Sequence, residues 1–147
     1  YKRLLLKRAR VTIVISDCCN EKIGTTMPFG FDLLRPRATG TDGLKLNYDN
    51  FRKLFLPVQR TSIIIGSAAP EQLAVGNPNM GGFFTNFFKA ELIKSLYSNT
   101  GESTWLRISL NATENTRKQS LTALCNSTPN INGRCVQRAE IKVLPPL

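Results

Sequence analysis

Histidine is absent from this 147-residue sequence. That removes the side chain most often used as a general base and the commonest imidazole metal ligand. A thiol–histidine pair therefore cannot be completed from these residues. Cysteine is sparse, with 4 residues and no Cys-x-x-Cys spacing, so no metal site and no cofactor is expected. No apolar run approaches the roughly 18–20 residues of a membrane-spanning helix. The opening Tyr-Lys-Arg-Leu-Leu-Leu-Lys-Arg-Ala-Arg frames its leucines with charge and does not resemble a signal peptide. The chain is expected to be soluble and cytoplasmic, with no membrane partner. It begins at Tyr1 rather than Met, which suggests a processed or trimmed terminus, and a signal upstream of Tyr1 would not be visible.

Acidic residues are also few: 10 against 20 basic ones, for a net charge of +10. Such an excess favours anionic partners in general. Lys2, Arg3, Lys7, Arg8 and Arg10 lie close together and the rest are scattered. No zinc spacing, aromatic RNA-binding motif or recognition helix accompanies the charge. An apolar fraction of 41% supports one packed domain or a large part of one. Cys18 and Cys19 are adjacent, a poor geometry for bonding each other. Cys125 and Cys135 flank a polar loop and are expected to bond in an oxidising compartment or to remain thiols in a cytosol.

Apolar periodicity predicts the order helix, strand, loop, helix, strand, helix, helix, strand, part of a doubly wound α/β sheet. Residues 2–9 read as the last turns of a helix. Val11–Ser16 is apolar at nearly every position, as for a parallel strand covered on both faces. Glycines and prolines punctuate residues 21–46, an irregular stretch of a length that is usually functional or mobile. Arg35 and Arg37 within it are plausible cut sites for a trypsin-like protease. Asn47 or Asp49 can cap a short helix bearing Phe51, Leu54 and Phe55, stopped by Pro57. Thr61–Ser67 reads as a second buried strand and residues 68–80 as a loop. Gly81-Gly82 opens an amphipathic helix from Phe83 to about Tyr97, with Phe84, Phe87, Phe88, Leu92 and Leu96 near one stripe. Ser103 is expected to cap a last helix reaching roughly Leu121, and Arg134–Val143 to close the chain as an edge strand. Asn111-Ala-Thr113 and Asn126-Ser-Thr128 fit the glycosylation pattern.

The densest information lies in Val-Thr-Ile-Val-Ile-Ser-Asp17-Cys18-Cys19-Asn20. A strand whose C-terminal end delivers a thiol is where open α/β folds set their chemistry. The polar neighbours Asp17 and Asn20 suggest a rim position, and the two cysteines, alternating in direction, cannot both face one partner.

Strand–Asp–x–Cys resembles the nucleophile strand of the caspase-like cysteine proteases, the clan of caspases, metacaspases and clostripain. On the metacaspase motif Asp-Ser-Cys-His-Ser-Gly, Asp17 matches the Asp, Cys18 takes the Ser position and Cys19 falls on the nucleophile. Asn20, Glu21 and Lys22 depart from His-Ser-Gly. Gly66-Ser67-Ala68, running on to Gln72, resembles the family's next strand and its continuation. Gly81-Gly82-Phe83-Phe84-Thr85 resembles the Gly-Gly-x-Phe-Thr that opens the following helix. The three marks recur in family order over roughly residues 1–98.

The resemblance implies a caspase-like three-layer α/β/α fold with a mostly parallel sheet, here without its N-terminal strands. Residues 1–147 would be the C-terminal part of one peptidase domain, with the nucleophile strand at 11–16 and a flexible activation and specificity loop at 21–46. The C-terminal helices and edge strand would span 82–143. Cys19 would be the catalytic nucleophile and Cys18 packing. Asp17 would line the first specificity pocket and pair with a substrate Arg or Lys, with Ser67 beside it. The partners implied are a protein or peptide substrate cut after Arg or Lys, and an effector or cleavage that activates a zymogen. A segment or chain upstream of Tyr1 would carry the catalytic histidine, which in caspase-type enzymes lies about 50 residues before the cysteine. The acidic residues that carry calcium activation in several metacaspases have no match. The alternative is a catalytically silent caspase-fold module that binds a protein or nucleic acid through its basic surface.

Overall fold

A computed structural model of the chain describes residues 9–17, 45–70, 72–77, 81–99, 103–124 and 130–144. Cys18, Cys19, the 2–8 part of the expected first helix, most of the 21–46 loop with Arg35 and Arg37, Cys125 and Asn126 lie outside them. The described part is mixed α/β. Strand β1 (Val11–Ser16) runs parallel to β2 (Thr61–Gly66), from Val11↔Thr61 to Ser16↔Gly66. Strand β7 (Glu140–Leu144) pairs antiparallel with the other edge of β2, with Ile65 opposite Ile141. The order is β1-β2-β7, so the described sheet is mixed rather than mostly parallel.

Between β1 and β2 lies helix α1 (Tyr48–Phe55). Asn47 is its N-cap, its side chain accepting from the Asp49 and Asn50 N–H groups. Of the two caps the sequence offers, Asn47 is the one used. Helix α2 (Phe83–Tyr97) follows Gly82, with the start and end expected. Helix α3 (Trp105–Ser120) begins one residue later than expected, because Thr104 and not Ser103 accepts the first-turn N–H, that of Arg107. The Ser103 hydroxyl is already committed to the Ser95 carbonyl, at 3.1 Å.

Leu54 of α1, Phe84 and Phe88 of α2, and Trp105, Ile108 and Ala112 of α3 form one buried cluster with Ile63 and Ile65 of β2. Val11, Ile13 and Ile141 pack against it. The three described helices thus share one sheet face, giving two layers among the described residues. This accounts for a departure in β1. Its residues are half-buried to exposed, with Ile15 38% exposed, because β1 pairs only with β2 among the described residues. Trp105 anchors the helical layer. It stacks on Phe88, meets Phe55 edge-on, and donates its indole N–H to the Leu54 carbonyl at 2.7 Å.

The C-terminal carbonyls of α2, which a helix cannot satisfy itself, are taken up by α1. Asn47 N–H donates to Leu96 O at 2.8 Å, the Asn47 amide to Ser98 O at 2.8 Å, and the Asn50 amide to Ser95 O at 2.9 Å. On α3, buried Ser109 and Thr116 return their hydroxyls to the carbonyls four residues back, so neither is left unpaired in the core. Asn111, the described glycosylation candidate, is exposed and donates its amide to Glu91.

The expected loop 68–80 contains strand β3 (Gly76–Asn77), paired antiparallel with β4 (Gly81–Gly82). The expected edge strand 134–143 is two elements. Strand β6 (Arg134–Cys135) turns back on β5 (Asn130–Ile131), and only Glu140–Leu144 joins the sheet. The reversal follows from Asn132 and Gly133 at φ 51° and 70°, the pair of left-handed residues a two-residue hairpin requires. Cys135 packs with Val75, Phe83 and Ala123 in a second cluster and is disulfide-bonded, with its partner outside the described residues. Of the two states the sequence leaves open for it, the bonded one is present. No helix among the described residues is long and apolar enough to cross a membrane.

On the exposed side of α3, Arg117 grips Glu114 with two hydrogen bonds of 3.0 Å, and Lys118 lies 3.5 Å away. The Arg117 hydrogen bond, aided by the two positive charges, lowers the Glu114 carboxyl from 4.5 to about 2. A depressed acid contributes stability above its unfolded value and loses it as pH falls through the folded one. Acid titration of helicity is therefore expected to show a component between about pH 4.5 and 2 that Glu114→Gln removes. An unchanged acid limb in the variant would show that the pair contributes nothing. The effect is small, since the pair is solvent-exposed.

Candidate functional site

Two adjacent parallel strands end side by side, and each delivers a polar residue there. Asp17 directly follows β1, and Ser67 directly follows β2. The pairing of Ser16 with Gly66 brings the two strand ends together, and Ser67 N–H extends the ladder by donating to Ser16 O at 2.8 Å. The C-terminal ends of parallel strands are where such sheets leave room for ligands.

The start of α2 closes over the Asp17 carboxylate. Its Oδ2 accepts the Thr85 hydroxyl at 2.5 Å. Gly82 lies so close that a β-carbon there would overlap the carboxylate. The Gly82 backbone, at φ −64° and ψ 139°, is one that alanine adopts without strain. Glycine is needed here for clearance and not for conformation. The carboxylate also sits at the N-terminal end of a 15-residue helix, where exposed N–H groups favour negative charge.

Two atoms of this arrangement lack partners. Asp17 Oδ1 and Ser67 Oγ are both enclosed and neither has a hydrogen-bond partner among the described residues. Ser67 as a whole is 1% exposed. Leaving a polar group buried and unpaired costs about 1–3 kcal/mol, more for a charged one. Native chains rarely tolerate that cost without a use for the group. None of the ion pairs among the described residues includes Asp17; they join Glu114 to Arg117 and Lys118, and Glu140 to Lys142. The charge of the Asp17 carboxylate is thus not balanced by an ion pair among the described residues.

Behind Ser67 stands Gln137, 0% exposed. Its amide donates to Ser67 O at 2.7 Å, its side-chain oxygen accepts from Val75 N–H at 2.8 Å, and its own N–H donates to Ser120 Oγ at 3.1 Å. One side chain thus fixes the strand end that carries Ser67 and the segment that leads into β3. Val75 O in turn accepts the N–H of Phe83, the first residue of α2, at 3.0 Å. The line of hydrogen bonds runs from Ser67 through Gln137 and Val75 to the helix start that holds Asp17.

Of the residues expected from the sequence, Asp17 and Ser67 come together here, and Cys19 and Cys18 lie outside the described residues. Gly82, Thr85 and Gln137 were not anticipated as site residues. The Gly-Gly-x-Phe-Thr mark already contained the first two. Gln137 had no comparable signal. Among the described residues no group of His, Cys, Asp and Glu could hold a metal ion. A shallow polar recess lined by Glu91, Lys94, Ser95, Ser98 and Arg107 draws its α2 residues from that helix's C-terminal half, away from this site. The chain matches no family model, no curated protein and no solved structure.

Proposed function

We propose that this chain is the nucleophile-bearing part of a caspase-like cysteine endopeptidase that cleaves after Arg or Lys. The supporting observation is the Asp17 carboxylate, without an ion-pair partner among the described residues, at the C-terminal end of β1 on the residue that directly precedes Cys18 and Cys19. The finer fold reading, a three-layer α/β/α domain with further strands beyond β1, belongs to the same proposal. A parallel β1–β2 pair followed by an antiparallel last strand is compatible with it.

In this reading the Asp17 carboxylate binds the basic side chain and so sets that residue's own carbonyl before Cys19. The Cys19 sulfur, its proton taken by a histidine from outside these residues, attacks that carbonyl carbon. The amine leaves with a proton from the imidazolium. Water then attacks the thioester, releasing the acid and restoring the thiol.

The test is hydrolysis of Arg-, Lys- and Asp-ended fluorogenic peptides by the full-length protein. Turnover of the first two, absent in Cys19→Ala, is the expected result. Turnover surviving in Cys19→Ala overturns the proposal, and no turnover overturns it in favour of the silent module, for which the +10 charge is the recommendation.

A further inference from the structure

Charge is polarised along the strands. Residues 1–16 and 50–70, which contain β1 and β2, hold no Asp or Glu, and all their basic residues precede the two strands. Arg10 leads directly into β1 and Arg60 into β2, and the Thr61 N–H donates to Arg10 O at 2.9 Å. Arg52 lies in the last turn of α1, which residues 56–60 join to β2. All three arginines are exposed, and none of the ion pairs among the described residues includes them. The same connection holds apolar side chains in water: Leu56 is 49% exposed and Val58 fully so, on either side of Pro57.

We propose that this end of the sheet docks on an anionic lipid bilayer, with Leu56 and Val58 entering the headgroup region and Arg10, Arg52 and Arg60 facing the headgroups. An apolar tip flanked by cations gains from such an interface twice, through buried apolar area and through the negative surface potential. A nucleic acid would engage the arginines but leave the aliphatic tip unburied, since its phosphate backbone attracts charge alone. Docking needs no crossing of the membrane. The proposal therefore replaces the expectation of no membrane partner, which rested on the lack of a spanning segment. It is independent of the proteolytic reading and uses none of its residues.

The experiment is co-sedimentation of the full-length protein with vesicles of phosphatidylcholine alone, and of phosphatidylcholine with about one third phosphatidylserine. The wild-type protein is expected to bind the second and not the first. Arg10→Gln, Arg52→Gln and Arg60→Gln combined are expected to weaken binding by on the order of 100-fold, at about fivefold for each cation near the surface. Val58→Ser is expected to weaken it by about tenfold. Lys118→Gln, Arg134→Gln and Arg138→Gln combined remove the same charge elsewhere. These three exposed residues lie on the segments that meet Ser67 and Ala69, at the opposite end of β2. Their loss is expected to leave binding within about twofold. All the substituted side chains are exposed, so thermal unfolding should be unchanged.

Equal losses in the two triple variants would show that net charge alone drives binding, and would overturn the docking surface. Val58→Ser binding as tightly as wild type overturns the inserted tip and with it the choice of a bilayer. No binding to phosphatidylserine vesicles overturns the proposal, and retention of a DNA duplex through the same three arginines would then identify nucleic acid as the partner.

Discussion

Asp17→Asn is expected to lower kcat/KM for Arg-ended peptides by about 10²–10³-fold, the loss that follows when one partner of a buried charge pair is removed. The substitution preserves shape and can still accept from Thr85 while removing the charge. It also sets an amide N–H₂ where the ligand's own donors arrive, and donor would face donor. The thiol at Cys19 should remain open to a small alkylating reagent, since the proposed role of Asp17 is to bind the side chain and not to activate sulfur. Gly82→Ala should produce the same phenotype by a different route. Its backbone suits alanine, but the new methyl group overlaps the Asp17 carboxylate and must displace it. Hydrolysis by Asp17→Asn at the wild-type rate would refute the pocket, and normal hydrolysis by Gly82→Ala would refute the close approach.

Gln137→Leu is expected to destabilise the chain by about 2–4 kcal/mol, although leucine is apolar and close in volume to glutamine. The cost arises in the partners. Val75 N–H and Ser67 O, both now served by the Gln137 side chain, would be left buried without a bond, at about 1–3 kcal/mol each. Urea unfolding measures it. A destabilisation under about 0.5 kcal/mol, the range of an ordinary surface change, would mean that water replaces the amide. Because Ser67 and the Val75–Phe83 link both hang on this residue, reactivity toward Arg-ended peptides should fall in the folded variant too.

The parts of this molecule that could be read from its sequence are those whose causes are local. The bounds of α2 were legible because paired glycines precede it, but the expected single apolar stripe is not what forms: Phe84 and Phe88 enter one buried cluster and Phe83 the other. Asn47 was legible as a cap because its partners are two and three residues away. The β5–β6 hairpin was missed although Ile131-Asn132-Gly133-Arg134 carries a strong turn signal; two-residue strands offer too little alternation to draw attention. Ser103 and Thr104 are equally good caps by chemistry, and the choice was made by the Ser95 carbonyl across the helix pair. Gln137 was out of reach for the same reason. Its side-chain bonds join it to residues 62 and 70 positions earlier, and no local pattern marks a glutamine for that work. Asp17 was readable only through likeness to a family motif. Its dependence on Gly82 and Thr85 emerged when the two segments were brought together in space.

Helix α2 is also a spindle with the chain wound on at both ends. Asp17 is fastened to Thr85 in its first turn, and Asn47 is fastened to Leu96 and Ser98 at its finish. Thr85 and Leu96 are 11 residues apart on the helix, a span of about 16 Å at the usual rise. The residues between Asp17 and Asn47 are long enough to cross that span several times over, since an extended chain covers about 3.3–3.6 Å per residue. A single nick at Arg35 or Arg37 would therefore leave both products joined to the same helix, one through Asp17 and the other through Asn47.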